Sequence, residues 1–301
     1  FKIYWKNKGF RKVLSLLPAR SLDQGIDYIN GIVETNMASR MAAGTIRAYQ
    51  QASTLSYVPI NLIGVAISTA AFPKMAERLG EGRPDLFKKE LQTVLRVIIW
   101  LALPVSAIAF FGRGYLVDFI KIGGDVLMAS ILGILCIAIL FRSIYHISAR
   151  SFYAQQDTKT PLFISFFAIG LNIFLAIWFT LGLNLGAYGL ALASAIVSAV
   201  EVLILFIMMG RSTKGLFDSK FMSGIMRMVI ATALMSIVTY TCVSFMSLRA
   251  TDRSFFVSFP RFAIIVAISL SVYLFLSWVF KLQEITSVIT NIKHKISRWR
   301  K

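Results

Sequence analysis

Forty-one consecutive residues, 160–200, carry no charged side chain. About a quarter of the residues in an ordinary soluble domain are charged, so a run of this length has to be solvated by a membrane. One bilayer-spanning helix needs roughly 20 apolar residues, and the run is too long for one. Gly182, Asn184 and Gly186 supply a turn near its middle, which divides it into helices over 161–181 and 187–209. Further apolar spans are expected over 97–111, 126–141, 228–247 and 262–280. Two more polar segments precede them. Residues 43–71 are polar in their first half and apolar in their second, with Pro59 between; residues 14–41 carry Arg20, Asp23, Asp27, Glu34 and Arg40.

The rest of the composition agrees. Hydrophobic residues make up 57% of the 301-residue chain and charged residues 15%, with a mean hydropathy of +0.71. Lys and Arg number 32 against 14 Asp and Glu, a net charge of +18. Binding nucleic acid would require a basic face on a water-soluble fold. Here the positive charge sits between apolar spans, as in a multi-pass membrane protein with basic loops. Soluble enzymes, nucleic-acid partners and secreted disulfide scaffolds are thereby excluded. Cys136 and Cys242 lie within apolar runs and read as packing residues; His146 and His294 are too far apart to suggest a metal site. No phosphate-cradling glycine loop or catalytic triad is present, so neither an enzyme nor a bound cofactor is expected.

Charge placement sets the expected topology. With eight spans and both termini on one side, 23 Lys and Arg fall on that side, including six in a 74–96 loop, and 7 on the other. The positive-inside rule then puts both ends in the cytoplasm of the inner membrane. Four regions are expected: a basic segment over 1–13, a six-helix lobe over 14–210, a helix pair with its preceding loop over 211–282, and a basic tail over 283–301. In that tail Ile285, Val288, Ile289, Ile292 and Ile296 recur at helical spacing beside a cluster of Lys and Arg. It reads either as an amphipathic helix on anionic lipid or as a solvated basic extension.

Charged and amide side chains within spans face a bundle interior or a watery cavity. The first two helices hold many: Arg20, Asn30, Glu34 and Arg40 in one, Arg47, Gln50, Thr54 and Asn61 in the next. Ion pairing explains part of this load, and a hydrated cavity lined by both helices explains all of it. Glu201 and Asn172 stand alone in later helices. They read as a proton- or cation-coupling pair of sites, or as single hydrogen-bonded contacts between helices.

One stretch is more specific. Arg150-Ser151-Phe152-Tyr153-Ala154-Gln155-Gln156-Asp157-Thr158-Lys159-Thr160-Pro161 ends one helix and starts the next through a short polar turn. It resembles the MurJ (MviN-type) lipid II flippases. A second block agrees without gaps, from Leu17-Pro18 through Ile29-Asn30, Ala38-Ser39, Gly44, Ala52, Leu55, Pro59 and Gly64-Val65-Ala66 to Phe72-Pro73. The resemblance implies an all-α membrane protein of the multidrug/oligosaccharidyl-lipid/polysaccharide exporter fold. This chain would supply the second six-helix lobe and two extra C-terminal helices, as a fragment without the first lobe. The implied activity is alternating-access transfer of lipid II, the undecaprenyl-pyrophosphate-linked peptidoglycan precursor, across the cytoplasmic membrane. An exporter of another polyprenyl-linked sugar, a drug or cation antiporter, and a non-transporting membrane scaffold remain as alternatives. Cavity candidates for the pyrophosphate are Arg20, Asn30, Arg40, Arg47 and Thr54, with arginines acting through charge-assisted hydrogen bonds. Thr54 stands where the family usually has arginine. Arg47, seven residues earlier and within roughly 20° of the same helix face, either replaces it or reaches outward to the headgroups. Glu34 keeps the family's acidic position, and with Asn172 it would fit sodium-linked transport; coupling to membrane potential is the other possibility.

A single cysteine placed in the 74–96 segment, in a background lacking Cys136 and Cys242, is expected to label only from the cytoplasmic side. Periplasmic labelling there would invert the scheme.

Overall fold

A computed structural model describes residues 25, 28, 31–33, 35–37, 41, 44–121, 124–246 and 255–286. These residues are almost entirely helical: α1 (Thr45–Gly80), α2 (Pro84–Phe111), the short α3 (Arg113–Asp118), α4 (Val126–Ala154), α5 (Lys159–Gly182), α6 (Ala187–Ser212), α7 (Ser219–Phe245) and α8 (Phe255–Val279). All but α3 are long and apolar enough to cross a membrane, which makes seven spans among the described residues. The expected span over 14–41, the basic segment 1–13 and the tail beyond 286 lie outside or largely outside the described residues. Residues 31–33 and 35–37 are helical.

The spans are longer than hydropathy suggests. The 74–96 segment is not a loop: α1 runs to Gly80 and α2 begins at Pro84, leaving a turn of only three residues. Likewise α7 starts at Ser219, nine residues before the apolar stretch. A window of apolar residues marks only the part of a helix in hydrocarbon, whereas backbone hydrogen bonding continues into the polar interface. The shift from 43–71 to Thr45–Gly80 has the same cause. By contrast, Gly182–Gly186 does form the expected turn. Gly186 adopts φ 55°, ψ −133°, a region open essentially to glycine.

Helix α4 is the hub. It packs against α1, α2 and α6, and its most apolar stretch is the most buried of the seven. Asp125 caps its start, accepting from the Met128 amide at 3.0 Å, and pairs with Lys121 at 2.7 Å. Those bonds to Lys121 and to the amide hold the Asp125 carboxyl below its ordinary range. The stability they contribute is therefore complete above the usual carboxylate pKa and is lost as pH falls through the depressed value.

Small residues set the closest approach of α1 and α4. A Cβ on Gly64 would lie 2.7 Å from the Ser143 Cα. Just here α1 widens from α-helix into a π-turn over Ile60–Val65, directly after Pro59. Proline cannot donate to the preceding turn, and the π-turn, with its i→i+5 spacing, follows it in the chain.

Helices α7 and α8 attach through α2, and polar bonds fasten them. Tyr273 donates to the Trp100 carbonyl at 2.9 Å, while the Trp100 indole donates to Ser277 Oγ at 3.2 Å. Thr239 donates to Ser269 at 2.8 Å between the two helices. At one end Arg96 meets Glu284 at 2.5 Å, with side chains only 11% and 5% exposed. Ser258 donates to Asp118 at 2.6 Å at the other. Without a hydrophobic force between helices in lipid, such bonds and small-residue contacts hold a bundle together. The residues just after α8 therefore begin docked, with Glu284 and Ile285 buried against the protein.

Gly64→Ala is expected to cost about 1–3 kcal/mol through overpacking against α4 backbone, lowering the thermal midpoint of the purified protein. Gly170→Ala, where a Cβ meets nothing within 4 Å, is expected to leave it unchanged or raise it.

Candidate functional site

The outward faces of the helices differ in kind. On α5 the exposed apolar side chains include Phe163, Phe166, Phe167, Phe174, Ile177, Trp178 and Leu181; α7 exposes Met226, Ile230, Leu234 and Ile237 among others, and α8 exposes Phe256, Ile264, Phe275 and Trp278. These are lipid-facing surfaces. The outward face of α1 carries Arg47, Gln50, Thr54 and Asn61 among Tyr57, Val58 and Leu62. At three- and four-residue steps these polar groups share one stripe, and hydrocarbon is a poor solvent for it.

Helix α4 presents a second row to α1. Arg142, His146 and Arg150 recur every fourth residue on one face. The Arg142 guanidinium lies near mid-helix, 5.7 Å from the Tyr57 ring centroid, and donates to Ser194 Oγ of α6 at 3.2 Å. That places it one turn along α1 from Thr54. The edge of the His146 ring would meet a Cβ on Gly64 at 3.2 Å. Arg150 donates to the Val65 carbonyl at the end of the π-turn, at 3.1 Å, and to the Ser68 hydroxyl. The two arginines thus have different settings: Arg150 stitches the widened backbone, whereas Arg142 is held over an aromatic face beside the polar stripe.

Of the residues singled out in the sequence, Arg47 lies in the first turns of α1 and Thr54 further along the same exposed face, its hydroxyl bonded to the Gln50 carbonyl at 2.9 Å. Asn172 is buried at the middle of α5. Arg20, Asn30, Glu34 and Arg40 lie outside the described residues. Glu201 accepts from Ser165 at 3.3 Å, and Ser165 lies 3.1 Å from the Tyr145 hydroxyl. This ties α4, α5 and α6 together and favours the interhelical contact for Glu201. The sequence reading passed over the Arg142–His146–Arg150 row. The row's four-residue spacing is visible in the chain, but of its two arginines only Arg150 is singled out there, at the helix end of the 150–161 stretch.

The 152–161 motif is built as a reversal. Phe152 and Ala154 are buried at the end of α4. Gln156 turns the chain with φ 61°, and the Asp157 amide donates back to the Phe152 carbonyl at 2.9 Å. Asp157 then accepts from the amides of Lys159 and Thr160 at 3.1 and 3.0 Å, and from the Thr160 hydroxyl at 2.6 Å. Thr158 makes no cap bond of its own. Pro161 falls in the first turn of α5, where its missing amide costs nothing. Ser212, at the end of α6, donates to Gln155 at 2.5 Å. Tyr153 lines a ≈ 480 Å³ cleft with Ala76, Leu79 and Gly80 of α1. The motif locks the ends of α1, α4, α5 and α6 to one another.

The family model described as lipid II flippase MurJ matches residues 1–261. The chain belongs to the MurJ family. It is 24% identical over 294 residues to the probable lipid II flippase MurJ of Thermotoga maritima, covering 95% of this chain and 57% of that one. It is 28% identical over 255 residues to the counterpart in Buchnera aphidicola subsp. Acyrthosiphon pisum, covering 81% and 48%. Among solved structures it is similar to a lipid II flippase MurJ in an inward closed conformation, with TM-score 0.72, 26% identity, and coverage of 93% of this chain and 56% of that one. A multidrug/oligosaccharidyl-lipid/polysaccharide transporter from Pyrococcus furiosus matches with TM-score 0.63 at 12% identity, over 91% of this chain and 66% of its own. That likeness shows the shared exporter fold alone. This MurJ-family chain spans about half the length of the curated relatives it matches.

Asp157→Ala is expected to destabilise the protein by about 1–2 kcal/mol, the usual cost of a lost cap. Asp157→Asn, which keeps an acceptor, is expected to recover most of it in thermal unfolding.

Proposed function

We propose that this chain forms the half of a lipid II flippase whose polar α1 stripe lines the translocation cavity. The observation that carries the reading is the contrast between that stripe and the outer faces of α5, α7 and α8, whose exposed side chains are predominantly apolar along the middle of each helix. A helix face with arginine, glutamine, threonine and asparagine turned away from its own bundle needs a watery neighbour. In an exporter fold with two lobes, the neighbour is the space between them. The end of the bundle bearing Lys74, Arg78, Arg83, Lys159 and Lys220 faces the cytoplasm by the positive-inside rule.

Within that cavity Arg142 is the cation best placed for the pyrophosphate. It sits near the middle of α4, oriented by Tyr57 and Ser194, one helical turn from the Thr54 position where the family expects arginine. A guanidinium binds phosphate oxygens through paired, charge-assisted hydrogen bonds. A site at mid-membrane serves alternating access because both leaflets reach it in turn. Arg47, near the end of α1, serves the outer mouth of the same stripe. The undecaprenyl chain stays in lipid beside the apolar faces. Coupling to sodium or to membrane potential belongs to the same reading, with buried Asn172 as one ligand and Glu34 as the other.

The test uses a full-length flippase carrying this half, expressed in cells depleted of their own. Arg142→Ala is expected to abolish rescue at normal membrane abundance. Arg142→Ala combined with Thr54→Arg is expected to restore a measurable part of it. Full rescue by Arg142→Ala alone would sink the assignment.

A further inference from the structure

A second basic site lies away from the α1 stripe, where α2, α7 and the residues following α8 meet. Arg96, Ser219, Lys220, Ser223, Arg227 and Lys281 line an open cleft of ≈ 290 Å³ there. Its charges are unevenly matched. Arg96 is engaged with Glu284, and its guanidinium lies flat on Gly224, where a Cβ would come within 2.7 Å of it. Among the described residues no carboxylate comes within ion-pair distance of Lys220, Arg227 or Lys281. Asp218 is committed to capping α7, accepting from the Phe221 amide at 2.8 Å. Three cations therefore converge on one cleft with two hydroxyls, Ser219 and Ser223, set one helical turn apart beside them.

The geometry around the cleft narrows the ligand. Arg227 donates to the Phe280 carbonyl at 3.2 Å, which fixes its guanidinium across the gap between α7 and the end of α8. Lys281 adopts φ 51°, a left-handed turn that lysine rarely takes and that sends the chain back toward Arg96. Directly further along both helices the surface becomes apolar: Met226 and Ile230 on α7, Phe275 and Trp278 on α8, with Trp278 62% exposed. A tryptophan so placed marks the headgroup level of a bilayer. A soluble anion would use only the cationic half of this surface. An amphiphile with a phosphate at one end uses both.

We propose that this cleft binds the phosphate headgroup of an anionic membrane lipid, with its acyl chains laid along the outer faces of α7 and α8. Lys220, Arg227 and Lys281 neutralise the phosphate, and Ser219 and Ser223 donate to its oxygens. The site lies in the helix pair joined to the lobe through α2, so it does not depend on the cavity assignment of Arg142.

Native mass spectrometry of the chain from mixed phosphatidylglycerol and phosphatidylcholine micelles tests this. One phosphatidylglycerol is expected to stay bound at an activation energy that strips phosphatidylcholine. Lys220→Gln with Arg227→Gln is expected to weaken its retention about fivefold per cation, roughly 25-fold in all. Arg227→Lys is expected to keep most of it, and shows that loss in the double variant is loss of charge. Lys89→Gln with Lys214→Gln, at the same end but outside the cleft, is expected to change nothing. Equal retention in the Lys220/Arg227 variant, or equal loss in the Lys89/Lys214 variant, would overturn the site. Inorganic phosphate that binds the lipid-free protein through Lys220 and Arg227, with no preference for phosphatidylglycerol over phosphatidylcholine, would overturn the lipid assignment.

Discussion

A polar group that this chain carries into hydrocarbon needs a partner inside the bundle or a hydrated cavity beside it, because lipid provides neither. The meeting of α1 and α4 is where that demand shapes most of the structure. Pro59 deprives α1 of a donor, the helix opens into a π-turn, and Arg150 reaches across to the carbonyl at its end. Gly64 lets the two backbones come close enough for that bond. The same contact carries the outward stripe of α1 past α4, so that Arg142 stands over Tyr57. The close approach at Gly64 thus also fixes where the Arg142 cation sits.

Much of the fold could be read from the chain. The uncharged 160–200 run, its division at Gly182–Gly186, and the strongly apolar spans all correspond to helices. The boundaries were harder. Residues 84–96 and 219–227 are helical yet charged, and hydropathy is blind to a helix once it leaves the apolar layer. The Asp157 turn was legible because proline and a capping carboxylate have local causes.

The site was legible in part. Polar residues of α1 at helical spacing could be read as one stripe, since a stripe is a property of a single helix. The Arg142–His146–Arg150 row lay in plain view at four-residue steps, but its meaning depends on which helix faces it. That is decided by the Gly64–Ser143 approach, a contact between residues 79 positions apart. The basic cleft is harder still, since Arg96, Arg227 and Lys281 come from three separate segments. Spacing alone cannot assemble it.

The polar fastenings of α7 and α8 have a mechanical consequence. Trp100, Tyr273 and Ser277 bind α8 to α2 near the C-terminal end of α8, and Arg96 with Glu284 binds the residues just after α8 to α2 at the basic interface. With Ser258 bonded to Asp118 of α3 at the other end of α8, the rod is held at both ends and loses its freedom to swing as well as to slide. Helix α8, with α7 bonded to it through Thr239 and Ser269, is therefore an outrigger of α2. Any tilt of the lobe sweeps these helices through the surrounding lipid as a single paddle, and the bilayer's resistance to that sweep acts on the lobe through the packed face of α7 on α2 and these few polar bonds.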